Sequence, residues 1–96
     1  MERDAAETLA LRALAWLAGN DDLLPVFLGA SGATPAELLS RAADPDFLAS
    51  VVDFLRMDDA WVLGFAAACG ERPEATAAAL AAARAALPGG STAHWT

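Results

Sequence analysis

Apolar positions recur along the chain at helical spacing and break at short polar punctuation. The clearest case is Pro45 to Met57. There Phe47, Leu48, Val51, Val52 and Leu55 share one side, and Asp46, Ser50 and Asp53 lie opposite. A period of 3.6 predicts an amphipathic helix. Upstream, Leu9, Ala13, Trp16 and Leu17 form one face of a helix ending near Ala18, while Leu11, Leu14 and Ala18 form another. Between Thr8 and Gly19 only Arg12 is charged. Such a helix is expected to be buried on most sides or to meet a partner. Ala60 to Cys69 carries no charge at all. A helix apolar all round belongs at the centre of a bundle, and Gly64 within it reads as a point of close approach.

Start and stop signals complete the outline. Asp4 with Glu7 three residues on fits a capping box, and Gly19-Asn20 a helix stop. Asp21 and Asp22 are expected to open a short helix from Leu23 to about Ala30. Its face is Leu24, Phe27 and Leu28, and Pro25 is tolerated in its first turn. Thr34-Pro35-Ala36-Glu37 is the sharpest local signal. It supplies an N-cap, a proline at the first helical position and a glutamate at the third, so it predicts a brief helix to about Ala43. Asp44-Pro45 repeats the device, Asp58 or Asp59 caps the next helix, and Gly70 ends it. The last helix, Pro73 to Leu87, is nearly pure alanine, with Leu80 and Leu87 as its large apolar residues. Alanine buries little area, so this helix is expected to pack closely on a partner or to stand half exposed. The reading is all-α: a compact bundle of about six short helices with an irregular C-terminal tail. Residues 1–90 form a single domain and 91–96 the tail, because no link is long enough to divide the chain.

Composition agrees and adds limits. The chain has 96 residues, with 26 Ala and 14 Leu but no Ile or Tyr, so strand formers are scarce and helix formers abundant. Its 27 larger apolar residues (Leu, Val, Met, Phe and Trp) suffice for one modest core. Six Arg, no Lys and thirteen Asp plus Glu leave a charge of −7. That balance argues against nucleic acid, which needs clustered cations. No uncharged stretch approaches the roughly 20 residues that span a bilayer. The start, Met1 to Asp4, lacks the basic and apolar regions of a signal peptide. The expectation is a cytoplasmic protein with no nucleic-acid or membrane partner.

Leu9 to Leu17 (LALRALAWL), Asn20-Asp21-Asp22, Phe27-Leu28, Thr34 to Leu38 (TPAEL), Ala43 to Leu48 (ADPDFL), Val52 to Leu55 (VDFL), Asp58-Asp59, Phe65-Ala66, Ala68-Cys69-Gly70 and Pro73-Glu74 are similar to domain of unknown function family 3572. The likeness covers about Leu9 to Gly89. It implies a small, soluble, helical protein of alphaproteobacterial type, without an activity or functional residues to carry over. Asp58 to Leu87 also resembles, in architecture alone, the compact three-helix modules that bind ubiquitin.

Candidate chemistry is sparse. Cys69 is the sole thiol and His94 the sole imidazole, twenty-five residues apart. Cys69 ends an apolar helix, where a thiol behaves as a small hydrophobe. His94 lacks the companions a zinc site needs. The pairs Asp21 and Asp22, Asp44 and Asp46, and Asp58 and Asp59 each precede a helix. There an anion is favoured by open N–H groups and the helix dipole, so capping outweighs a metal or acid–base role. The glycines match no phosphate loop. No cofactor and no metal are expected. Trp16 and Trp61 read as core, while Trp95 in the tail folds back, anchors a partner or a second copy, or is simply disordered.

These readings favour an interaction module without catalytic activity. Its partner is an unknown protein or a second copy of the chain. The candidate contacts are Trp95, His94, Leu80, Leu87 and Leu11. One alternative is a carrier or sensor of a small apolar ligand, using a pocket among Trp16, Trp61, Phe47, Phe54 and Phe65. A second is an enzyme, whose best residues would be Arg56, Asp58 and Asp59.

Overall fold

The computed structural model describes residues 1–88. Among them are six helices and no strand: α1 (Arg3–Ala18), α2 (Leu24–Ser31), α3 (Pro35–Arg41), α4 (Pro45–Arg56), α5 (Asp59–Cys69) and α6 (Pro73–Ala86). The six-helix expectation therefore holds, with boundaries shifted by one or two residues. The expected tail, 91–96, lies outside the described residues.

Helix starts show which punctuation acts. Thr34 and Glu37 form the expected capping box. The Glu37 N–H donates to Thr34 Oγ1 at 3.3 Å, and the Thr34 N–H donates to Glu37 Oε1 at 2.8 Å. Asp44 accepts from the Asp46 N–H at 3.0 Å, and Asp58 from the Ala60 N–H at 2.8 Å. Two other starts differ from expectation. Asp4 lies inside α1, which begins after Glu2 without a side-chain cap. The Asp4 carbonyl accepts from the Thr8 hydroxyl, and Glu7 pairs with Arg3 at 3.1 Å instead of reaching back. Nor do Asp21 and Asp22 open α2. The Asn20 carboxamide holds the turn before α2, accepting from the N–H groups of Asp22 and Leu23, both at 3.1 Å, and α2 itself starts without a side-chain cap. Asn shares the short acceptor geometry of Asp, and it stands at the position where the chain turns.

The centre of the bundle is α4. Phe47, Leu48, Ala49, Val51, Val52, Phe54 and Leu55 are all buried, and α1, α5 and α6 pack around the helix. This corrects the expectation that α5 holds the centre. Only Val62, Phe65 and Ala66 of α5 are buried, and Leu63 is 52% exposed. So apolar a helix can remain peripheral when its exposed positions are largely alanine, here Ala60, Ala67 and Ala68 beside Leu63, since each exposed methyl costs little. The segment from Asp58 to Leu87 holds two helices, not three.

The alanine-rich helix is internal on one side. α6 packs against α1, α4 and α5, and Thr76, Leu80 and Ala83 are buried along it. On α1, Ala6, Ala10 and Ala13 are wholly buried at the same helical spacing. Small side chains let helix axes approach closely, so these faces exclude water without bulky residues. A half-buried ion pair, Arg84 Nε to Asp53 Oδ1 at 2.8 Å, ties α6 to α4.

Aromatic rings knit the interior. Phe27 meets Phe54 edge-on at 5.1 Å and Phe47 at 5.9 Å. Trp61 stacks on Phe54 at 4.5 Å, and Trp16 tilts against Phe65 at 5.8 Å. Both tryptophans are half-buried against the core instead of fully inside it. Gly64 is a close approach, as its sequence context suggested, and the neighbour is the Trp16 indole. A Cβ there would sit 3.0 Å from Trp16 Cζ2.

Two predictions follow from this packing. Leu80 is fully buried, so Leu80→Ala should cost about 2–5 kcal/mol in urea unfolding. The capping box gives a pH signature. The Thr34 backbone N–H, then its hydroxyl, and more weakly the Arg41 charge hold the Glu37 carboxyl below its usual range. A depressed carboxylate contributes stability that is fully present above its unfolded value and is lost as pH falls through its folded value. Glu37→Gln should therefore flatten the acid limb of the stability–pH curve, as measured by urea titration between neutral pH and the acid side of the carboxylate range.

Candidate functional site

The most distinctive surface feature is an apolar groove between α1 and α3. Leu11, Leu14, Ala15 and Ala18 line it from α1; Pro35, Leu38, Leu39 and the following Ala42 line it from α3. Its volume is about 360 Å³, and no charged or polar residue is among those lining it. The cause is the brevity of α3. The helix has seven residues, and its capping box and proline fix where it starts. Successive residues on a helix are turned by about 100°. Leu38 points into the core, so its neighbour Leu39 must point away. Leu38 is 9% exposed and Leu39 is 89% exposed. Leu11 stands across the groove at 41% exposed. Leaving such a side chain in water forgoes roughly 1.5–3 kcal/mol of burial.

A second, smaller concavity of about 180 Å³ lies between α1 and the α5–α6 turn. Leu9, Phe65, Ala75 and Ala79 supply apolar wall, and Arg12, Cys69, Glu71 and Thr76 supply polar groups. The turn is set by Gly70, whose φ of 69° closes α5 in the left-handed region. The Glu71 N–H then reaches back to the Ala66 carbonyl at 3.0 Å. This sets Glu71 in the lining of the cleft, two residues from Cys69, which is partly buried.

The residues singled out from sequence fall in different places. Leu11 is at the groove. Leu80 and Leu87 are buried in the chain's own core, 0% and 5% exposed, and offer no surface to a partner. The reason is that α6 docks on α1 and α4, and its two leucines are what it inserts. His94 and Trp95 lie outside the described residues. Asp58 is engaged as a helix cap, and Arg56 and Asp59 are exposed beside it. Phe47, Phe54 and Phe65 are buried, with Trp16 and Trp61 packed against them. Among the described residues no group of three His, Cys, Asp or Glu side chains could hold a metal ion. No helix among them is long and apolar enough to cross a membrane.

Leu39 was not singled out from sequence. A signal for it exists: adjacent leucines are turned by about 100°, so on a short helix packed on one side only one of them faces the core. The adjacent pair gives a direct test. Leu38→Ala should cost about 2–5 kcal/mol. Leu39→Ala should stay within about 0.5 kcal/mol. Urea denaturation of the two variants checks both.

No curated protein and no solved structure matches the chain. A family model does match, over residues 3–90, and it covers all six helices. The chain therefore belongs to the family described as protein of unknown function (DUF3572), as the resemblance in its sequence implied.

Proposed function

We propose that this chain is a non-catalytic interaction module whose α1–α3 groove receives an apolar helix of another protein. The supporting observation is Leu39, 89% exposed at the rim of a groove lined by apolar residues alone. A bare leucine beside a wholly apolar trough is the pattern of a helix-in-groove site. The chain's charge of −7 favours a partner helix of net positive charge over a second copy, which would add equal negative charge.

The test is capture from lysate of the native cell, using the intact chain and two surface variants, followed by reconstitution with the purified partner. Leu39→Glu places a charge in the groove. Leu63→Glu places one on α5, where Leu63 is also exposed, at 52%. A single partner that binds with defined stoichiometry, is lost with Leu39→Glu and is kept with Leu63→Glu supports the proposal. A partner kept by both variants, or none at all, overturns it. A concentration-dependent doubling of mass that Leu39→Glu abolishes reassigns the groove to a second copy.

A smaller occupant has one observation in its favour. About 360 Å³ lies within the range of small-ligand pockets, and the lining is apolar. The five aromatics named for a ligand pocket are engaged in ring contacts, Trp16 with Phe65, Trp61 with Phe54, and Phe47 with Phe27, so an apolar ligand would use the leucine groove instead. Saturable binding of a fatty acid that Leu39→Glu abolishes would favour this reading over a protein partner.

A further inference from the structure

We propose that the cleft between α1 and the α5–α6 turn is a binding site for a free α-amino acid with an apolar side chain. Three observations converge on that class. First, Arg12 and Glu71 line the same small cleft from different elements, yet they form no ion pair with each other. Opposite charges held apart across a cleft leave room for a ligand that carries both signs. Second, Thr76 is 5% exposed, and its hydroxyl makes no hydrogen bond among the described residues. A buried hydroxyl without a partner is costly, and a ligand carboxylate beside Arg12 would satisfy it. Third, the remaining wall is Leu9, Phe65, Cys69, Ala75 and Ala79, which is mostly apolar and suits an apolar side chain.

The size of the cleft narrows the class further. About 180 Å³ is below the range of drug-sized pockets and matches a ligand the size of one amino acid. A simple carboxylate would meet Arg12 and Thr76 but would be repelled by Glu71. A simple amine would meet Glu71 and be repelled by Arg12. The zwitterion satisfies both charges. Its carboxylate goes to Arg12 and Thr76, and its ammonium to Glu71. The site lies apart from the α1–α3 groove and does not depend on what that groove binds.

Calorimetry and thermal unfolding of the full chain test this with L-leucine, L-methionine and L-phenylalanine, up to about 10 mM, beyond a millimolar Kd. Saturable binding of at least one of them, with a raised Tm, is expected. No binding by any overturns the proposal. For the amino acid that binds, Arg12→Gln and Glu71→Gln should each weaken affinity about tenfold or more, because each removes a charged hydrogen-bond partner. Both residues are exposed, so neither change threatens the fold. Thr76→Val keeps the shape and removes the hydroxyl. It should leave the free protein as stable as before or more so, while reducing affinity. The desamino and decarboxylated analogues of the same side chain complete the set. If either binds as tightly as the amino acid, or if none of the three variants weakens binding, the zwitterion assignment falls.

Discussion

The fold depends on covering one helix. α4 buries seven of its twelve residues, including two phenylalanines, two leucines and two valines. No single neighbour can cover so wide an apolar surface. Three helices must close around it, and in a chain of this size they must come near one another as well. That condition explains why α6 is built from alanine. A helix of bulky residues could not sit against α1, α4 and α5 at once, whereas alanine and threonine faces let the axes approach. The wholly buried Ala6, Ala10 and Ala13 of α1 meet the same need.

The charged residues follow from this economy. Asp44, Asp58 and Glu37 hold helix starts, Glu7 and Glu74 pair with nearby arginines, and Asp53 ties to Arg84. In a bundle of short helices, terminal N–H groups are numerous, and each start left open costs about as much as a lost cap. The acidic composition thus reflects in part the number of helix beginnings.

What remains uncommitted is instructive. α3 is short because its start is set by the Thr34 cap and Pro35, and its end by the turn into Asp44-Pro45. On so short a helix, packed on one side, only one of two adjacent leucines faces the core, so Leu39 is left outside beside Leu11. The cleft on the other side arises from the α5–α6 turn, where Gly70 sets Glu71 in the lining of a gap between α1 and α6. Both concavities are by-products of where helices stop, and both carry side chains that the core does not use.

Local information in the chain determined a good deal. The period of α4, the capping box at Thr34, the Asp-Pro start of α4 and the glycine stop after Cys69 are all readable from neighbours a few residues apart, because caps and helical faces are short-range effects. Local reading failed where several residues compete for one role. Asn20 holds the turn that Asp21 and Asp22 resemble equally well, and Glu7 turns to Arg3 instead of capping. Only the tertiary structure decided which apolar helix is central and which leucines are surface. Hydrophobicity along α5 and α6 says that each can be buried, but burial is settled by which helix the others surround. The bundle surrounds α4, so α5 stays at the edge. α6 turns Leu80 and Leu87 inward, and the most exposed leucine falls on the shortest helix, where Leu38 alone of the adjacent pair reaches the core.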